Sequence, residues 1–527
     1  MESTKKIAKS TLIIVLFSLV GKVLGFTREI LMANKFGATL EMDAFNISQN
    51  TIAMISTLIT AAIATTFIPT IQKVERELGK NKKLYFTNNM LFIVSAVSLI
   101  IIILGIVFAP AITFVLTLDV NYKGYELMTK LMRIGMVTIL FSTIAGVFTG
   151  YLHNEGKFGA VGAMAIPLNL TFILYLGYLS PHAGIVGLTI ASVVGVLLQL
   201  LILIPSAAKS GYRLKFIFDV KDRYVKEALL LAVPVLVSSA VSDVNSTINN
   251  ILALKINEGA VSILGYANKI NMMVMGVFIT AITAIIFPVM SRYFGSKNMV
   301  QGKSVMSASI KAVLFITVPA TVGMLIFARP IVEIAFLHGK FTTQNVIDTA
   351  STLRFYSFAL ISLSFSSVLN RVFYSLSDTK TPFIVGVVNV LLNIGINLIV
   401  AQKFGTRGMA ASVSISTAIA VFLDFVFLRR KIGRLGMKSY IKAFIKVAIA
   451  SVVMGLFCLV YFQIESTFIP TLVSGMHLKI IKLAVLFIVI IVAVIIYSVC
   501  LYFLGVREVR DIVKIISRKL KRDNYIK

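Results

Sequence analysis

The sequence predicts an all-α integral membrane protein with about fourteen transmembrane helices. Three observations carry this: 58% of the 527 residues are hydrophobic and only 14% are charged, the apolar residues come in long runs, and Lys and Arg segregate between those runs. Soluble domains are about 45–50% apolar and about 25% charged, so a soluble fold has no way to bury this surface. The mean hydropathy is +0.92. Each run approaches the ~20 residues a helix needs to cross ~30 Å of hydrocarbon. Lipid offers no partner to a backbone amide, so spans are either helices or closed barrels. Barrel strands alternate over about ten residues, whereas 90–108 and 480–504 do not alternate.

The spans fall at 11–33, 44–69, 86–115, 127–151, 160–179, 183–205, 228–252, 262–290, 307–337, 347–375, 382–401, 408–428, 440–463 and 479–504. An even number places both termini on one side. Of the Lys and Arg in the connecting segments, tails and adjoining span ends, about 33 fall in one alternating set and 7 in the other (Lys35, Lys123, Lys255, Lys340, Lys403, Arg407 and Lys479). Cytoplasmic segments carry the excess of basic residues, so the first set and both termini are expected in the cytoplasm of a bacterium. The net charge of +29 follows from the same rule and from the anionic leaflet it faces. It is not read as nucleic-acid binding. The apolar stretch after the basic N-terminus contains Lys22 and Arg28 and shows no small-x-small cleavage site, so it reads as a retained first helix rather than a signal peptide.

The two halves repeat weakly. Tyr151-Leu-His-Asn-Glu-Gly-Lys157 resembles Tyr374-Ser-Leu-Ser-Asp-Thr-Lys380, Gly184-Ile-Val-Gly187 resembles Gly405-Thr-Arg-Gly408, and Pro69 matches Pro288, all at an offset of about 220. Six helices per repeat keep both copies in one orientation, which predicts two parallel six-helix lobes and two further C-terminal helices. The expected organisation is therefore a lobe at 1–205, a cytoplasmic linker at 206–227, a lobe at 228–430, two extra helices at 431–505 and a basic tail at 506–527. In that tail, apolar residues at helical spacing alternate with cations, a pattern suited to an anionic leaflet.

A charge inside a bilayer costs at least ~2.5–3.5 kcal/mol, so each one calls for a reason. The first span holds Lys22, Arg28 and Glu29. Lys22 and Glu29, seven apart, share one face; Arg28 lies about 120° from Lys22. These residues are expected to face a wet interior. Asp43 opens the second span near a helix N-terminus, within reach of a pairing with Arg28 or Lys35. Lys269 lies in the eighth span, and the seventh is polar on one side, including Asp243, Asn249 and Asn250. A cavity lined by cations favours an anion, and phosphates are the common large anionic handle. Snorkelling to an interface or an internal salt bridge is the plainer alternative for each basic residue. For Asp243, an interhelical hydrogen bond competes with a cation site.

Catalytic signatures are missing. Gln301-Gly-Lys-Ser304 ends like a phosphate-binding loop, but Lys297 stands where its first glycine belongs and no strand precedes it. Cys458 and Cys500 lie in apolar runs, the four histidines have no ligand spacing, and the longest extramembrane segment is too short for a catalytic domain. The residues leave open an exporter of a lipid-linked oligosaccharide, including one of polysaccharide or teichoic type, a drug or cation antiporter, and a membrane glycosyltransferase. A drug-cation exporter wants an anionic or aromatic cavity, and a glycosyltransferase wants loop carboxylates that are sparse here.

Gly21-Lys-Val-Leu-Gly-Phe-Thr-Arg-Glu29, then Phe36-Gly37 and Asp43-Ala-Phe45, resembles the first two helices of the MurJ lipid II flippases. The resemblance extends over nearly the whole chain through Tyr266-Ala-Asn-Lys269, Leu337-His-Gly-Lys-Phe-Thr342 and Phe373-Tyr-Ser-Leu-Ser-Asp-Thr-Lys-Thr-Pro382. It implies a member of the multidrug/oligosaccharidyl-lipid/polysaccharide exporter superfamily that moves undecaprenyl-pyrophosphate-linked disaccharide-pentapeptide to the outer leaflet by alternating access. It also implies a central cationic cavity and a lipid-tail groove formed by the last two helices. On this reading Lys22, Arg28, Lys269 and Asn249 bind substrate, Asp43, Glu29 and Lys35 form a gating ion-pair set, and Asp243 is a cation site. No cofactor or metal is expected; coupling is to membrane potential, Na+ or H+. The expected partners are the lipid-linked substrate and membrane lipids, and the expected state is a monomer. Lys22 and Lys269 stand where family members often carry Arg, and Ser56 and Thr57 stand where a second-span Arg is usual. Lys keeps the charge without the bidentate fork.

Overall fold

Gly184 and Gly405 adopt nearly the same backbone conformation, φ 54°, ψ −146° and φ 60°, ψ −143°. This region is essentially open to glycine alone, and in each half it interrupts a helix at the corresponding point of the weak sequence repeat. The computed structural model describes residues 2–467 and 476–506. The basic tail expected from 506 onward lies, from 507, outside the described residues.

Helices dominate the described chain: α1 Glu2–Phe36, α2 Leu40–Val107, α3 Ala109–Thr117, α4 Tyr125–Gly135, α5 Thr138–Asn154, α6 Phe158–Ala163 and α7 Ala165–Leu174. One π turn, Tyr175–Leu179, leads into α8 Ser180–Lys209. Then follow α9 Arg223–Leu254, α10 Ala260–Gly295, α11 Met299–Phe336, α12 Thr343–Ser375, α13 Lys380–Ile432, α14 Met437–Cys458, α15 Val460–Thr467 and α16 Met476–Phe503. No strand occurs among the described residues.

Among the described residues, eight helical segments are long and apolar enough to cross a membrane. Three of them hold two spans each. At 1.5 Å per residue α2, with 68 residues, would be about 100 Å long, three times the hydrocarbon thickness; it breaks at Gly79 (φ 80°). The segment Phe158–Lys209 breaks at Gly184 and α13 at Gly405. With α1, α9 and α10 as single spans, fourteen spans lie among the described residues. Prolines sit inside α2, α8, α10 and α11, as membrane helices permit.

Two compact units emerge, Met1–Ile263 with His338–Asn345, and Leu264–Leu337 with Val346–Lys527. In the first, α2, α5 and α8 enclose Phe67, Phe86, Tyr151, Leu203 and Val225, all buried, with Phe67 and Phe86 stacked at 5.6 Å. In the second, Met306, Ile310, Leu369, Phe373 and Leu428 build the corresponding core of α11, α12 and α13. There α11 also carries α14 and α16: Leu314, Val318 and Phe327 pack with Val447, Met454, Val489 and Ala493. Gly455 lets α14 approach Val322 closely, and Tyr497 Oη donates to the Phe315 carbonyl at 2.9 Å.

The linker between α8 and α9 is fixed rather than loose. Asn88 Nδ2 donates to the Arg213 carbonyl (3.0 Å), and Asn88 Oδ1 accepts from Tyr212 Oη (2.8 Å) and the Lys215 N–H (3.1 Å). Asn89 pairs both ways with the Asp219 backbone at 2.7 and 2.8 Å. Each copy of the repeated motif supplies an ion pair nearby. Glu155 meets Lys83 at 2.7 Å, with Glu75 on the same ammonium at 2.8 Å, and Asp378 meets Lys431 at 2.7 Å.

Candidate substrate site

The charged residues of α1 are positioned by small ones. Gly21 and Gly25 form a small-xxx-small stripe, which lets membrane helices approach closely. A Cβ on Gly21 would sit 2.9 Å from that of Ala165, and one on Gly25 would touch the Asn169 amide. Asn169 Nδ2 donates to the Ala165 carbonyl at 2.8 Å and reaches the Gly21 carbonyl at 3.4 Å. This seats α1 against α6 and α7 and turns Lys22 into a cavity of about 540 Å³. Ser18, Gly21, Gly162, Ala165 and Gln199 share its walls; Lys22 itself is exposed.

Arg28 lies two turns further along. Its Nη2 meets Glu29 Oε1 at 2.7 Å, and the guanidinium lies 5.1 Å from the centre of the Phe172 ring. The Arg28 side chain keeps 24% of its surface accessible, whereas Glu29 is buried. Its Nε has no hydrogen-bond partner. Aromatic stacking and one carboxylate hold the guanidinium in place while leaving donors for an oxyanion.

Asp43 is completely buried. Its carboxylate accepts from the Gly259 N–H at 2.7 Å, the Ser262 N–H at 2.8 Å and Ser262 Oγ at 2.6 Å, and Asn46 Nδ2 donates to the same Oγ at 3.2 Å. It thus covers the first turn of α10, where a negative charge complements the unpaired amides and the helix dipole. Neither Arg28 nor Lys35 is among its partners. Lys35 is half-buried in the last turn of α1. The 338–345 segment closes over this end, with the Lys340 N–H donating to the Asn34 carbonyl at 2.8 Å.

A second polar cavity, about 200 Å³, opens between α2 and α9. Asn50, Thr51 and Thr57 line it from α2, and Asp243, Ser246, Thr247 and Asn250 from α9. On α9 these residues fall at i, i+3, i+4 and i+7, one stripe of a helix, and on α2 Asn50 and Thr57 lie two turns apart on one face. One carboxylate among neutral oxygens suits a small hard cation. Asn249 is half-buried beside this stripe, and Lys269 is half-buried in α10 of the second unit. The α9 stripe is visible in the sequence; Asn50 and Thr57 emerge as functional candidates only from their place opposite Asp243. No cluster of three His, Cys, Asp or Glu suited to a metal exists among the described residues.

A bundle of fourteen spans with charged groups on its first helix and polar cavities between helices defines a membrane transporter. A family profile described as lipid II flippase MurJ matches residues 32–500, so the chain belongs to the lipid II flippase MurJ family, multi-pass proteins of the bacterial inner membrane. Sequence relatives agree. A probable lipid II flippase MurJ of Vibrio cholerae is 28% identical over 439 residues, covering 81% of this chain and 83% of that protein. One from Bdellovibrio bacteriovorus is 24% identical, with 97% of each covered. Among solved structures, a lipid II flippase MurJ in an inward closed conformation shares the fold with a TM-score of 0.76 and 22% identity, over 93% of this chain and 98% of that one. An inward-facing multidrug resistance transporter of the MATE family gives 0.66 and 16%, over 81% and 99%.

Proposed function

We propose that this chain flips lipid II from the inner to the outer leaflet by alternating access, with both termini in the cytoplasm, working as a monomer and making or breaking no covalent bond. Lys22, Arg28, Lys269 and Asn249 take the pyrophosphate. Arg28 carries the reading: a guanidinium kept inside a span at a cost of at least ~2.5–3.5 kcal/mol, oriented by Glu29 and Phe172, with part of its surface still accessible. Two phosphate charges meeting it gain charge-assisted, geometrically specific hydrogen bonds.

Asp43 acts as a latch on α10, released and remade during the cycle, and Glu29 and Lys35 are the further gating charges. The Asp243 cavity takes the coupling cation, Na+ or H+, and membrane potential drives the return. The test is complementation: a bacterium depleted of its resident lipid II flippase expresses this chain, and lipid II reaching the outer leaflet is assayed. Growth with the unaltered chain and none with Arg28→Ala, at equal membrane insertion, is the expected result. Full growth of Arg28→Ala would sink the assignment of Arg28, and failure of the unaltered chain would sink the substrate.

A further inference from the structure

The two interrupted helices are alike in backbone but not in what surrounds them. The offset that relates Gly184 to Gly405 and Gly187 to Gly408 relates Tyr175 to Ile396, His182 to Lys403 and Val186 to Arg407. In the first unit Tyr175 plugs the break. Its hydroxyl donates to the Gly184 carbonyl at 2.5 Å and lies where a Cβ on Gly187 would go. In the second unit Ile396 has neither the ring nor the hydroxyl to do this, and a groove of about 610 Å³ opens there. That volume falls in the range of built ligand sites, about 300–1,000 Å³.

The walls are apolar and the mouth is cationic. Phe355, Ile396, Val400, Ala411 and Ile415 line the groove, and Lys403 and Arg407 stand at the end near Gly405. Lys403 is exposed and forms no ion pair among the described residues. Arg407 lies 3.7 Å from Asp348, with half of its side chain accessible. Counting Asp348, the mouth keeps one net positive charge. We propose that this groove binds one acyl chain of an anionic membrane phospholipid, its phosphate held by Lys403 and Arg407. The occupant follows from the pairing: an apolar slot along a membrane-spanning helix fits a hydrocarbon chain, and two cations at one end fit a phosphate. The site belongs to one unit alone and does not depend on what the protein transports.

The chain contains no Trp, so Phe404→Trp, on an exposed lining position, gives a single tryptophan at the groove, excited selectively over the tyrosines. The full chain carrying it is reconstituted with phosphatidylglycerol or phosphatidylcholine brominated on the acyl chains. Phosphatidylglycerol is expected to quench at least twofold more effectively at equal mole fraction. Lys403→Gln with Arg407→Gln should remove that preference, and Ile396→Tyr, which restores the plug, should weaken quenching by both lipids. Lys403→Gln alone, at an exposed site, reports even where the other variants fail to fold. Equal quenching by the two lipids, or a preference untouched by Lys403→Gln and the double variant, overturns the proposal. So does relief of quenching by a trace of unbrominated polyprenyl diphosphate that excess phosphatidylglycerol does not match, because the groove would then serve a substrate.

Discussion

Asp43 and Asp424 are both buried carboxylates, at 0% and 1% exposure, and they make opposite predictions. Asp43 satisfies two backbone amides and a hydroxyl, so its removal strands buried donors, at about 1–3 kcal/mol each. Asp43→Ala should therefore lower the thermal midpoint in detergent by several degrees, and Ser262→Ala by less; an unchanged midpoint for Asp43→Ala would mean the cap holds nothing. Asp424 Oδ1 has no hydrogen-bond partner. Replacing an unsatisfied buried acid with a neutral group relieves desolvation, so Asp424→Asn should match or exceed the unaltered protein in the same melt. At this scale the sequence shows which residues are out of place, because a charge in an apolar run is conspicuous: Lys22, Arg28, Asp43 and Asp243 are all legible. It does not show their partners. Gly259 and Ser262 lie more than 200 positions from Asp43, and no local pattern links them to it.

The helices themselves were readable from runs of about 20 apolar residues, and their interruptions were partly readable. Gly184 and Gly405 stand out as a repeated Gly-x-x-Gly, but the left-handed backbone they adopt is a property of the fold. Alanine at either position takes on strain of about 1–3 kcal/mol, and Gly405→Ala should lower the melting temperature accordingly. The linker is a different case. The sequence marks it only as a cytoplasmic linker, and nothing local in it shows that Asn88 and Asn89 pin its backbone. Asn88→Ala with Asn89→Ala should expose it to trypsin at Arg213 and Lys215 far faster than in the unaltered protein; equal cleavage rates would show the clamp to be dispensable. Between α12 and α13, Asp378 ties the turn together. Burial opposes its charge, but Lys431 and the amide and hydroxyl of Thr381 outweigh that and hold its carboxyl down at about 2, from 3.8. A depressed carboxylate contributes stability that is complete above its unfolded value and is lost as pH falls. The loss should run from about pH 4 toward pH 2, and Asp378→Asn should flatten this part of the stability profile.

At the scale of the whole molecule, one distribution predicts the orientation. The roughly 33 basic residues of one set and 7 of the other separate cleanly only when the spans number fourteen and each is counted once; a missed helix mixes the sets beyond it. The breaks at Gly79, Gly184 and Gly405 supply the turns that this count requires inside three long helical segments. The direction follows from the charge rule, under which Lys and Arg concentrate on the cytoplasmic side. Cys458 is buried and Cys500 half-buried, so serine at both gives a background without thiols. On it, Lys403→Cys belongs to the sparse set and Lys215→Cys to the dense one. In intact cells a membrane-impermeant maleimide should label Lys403→Cys at once and Lys215→Cys only after permeabilisation. The reverse pattern would invert the molecule, placing the Lys403 groove in the cytoplasmic leaflet and both termini outside. Labelling of both in intact cells would instead break the count of fourteen, because one helix between the two positions would have failed to cross.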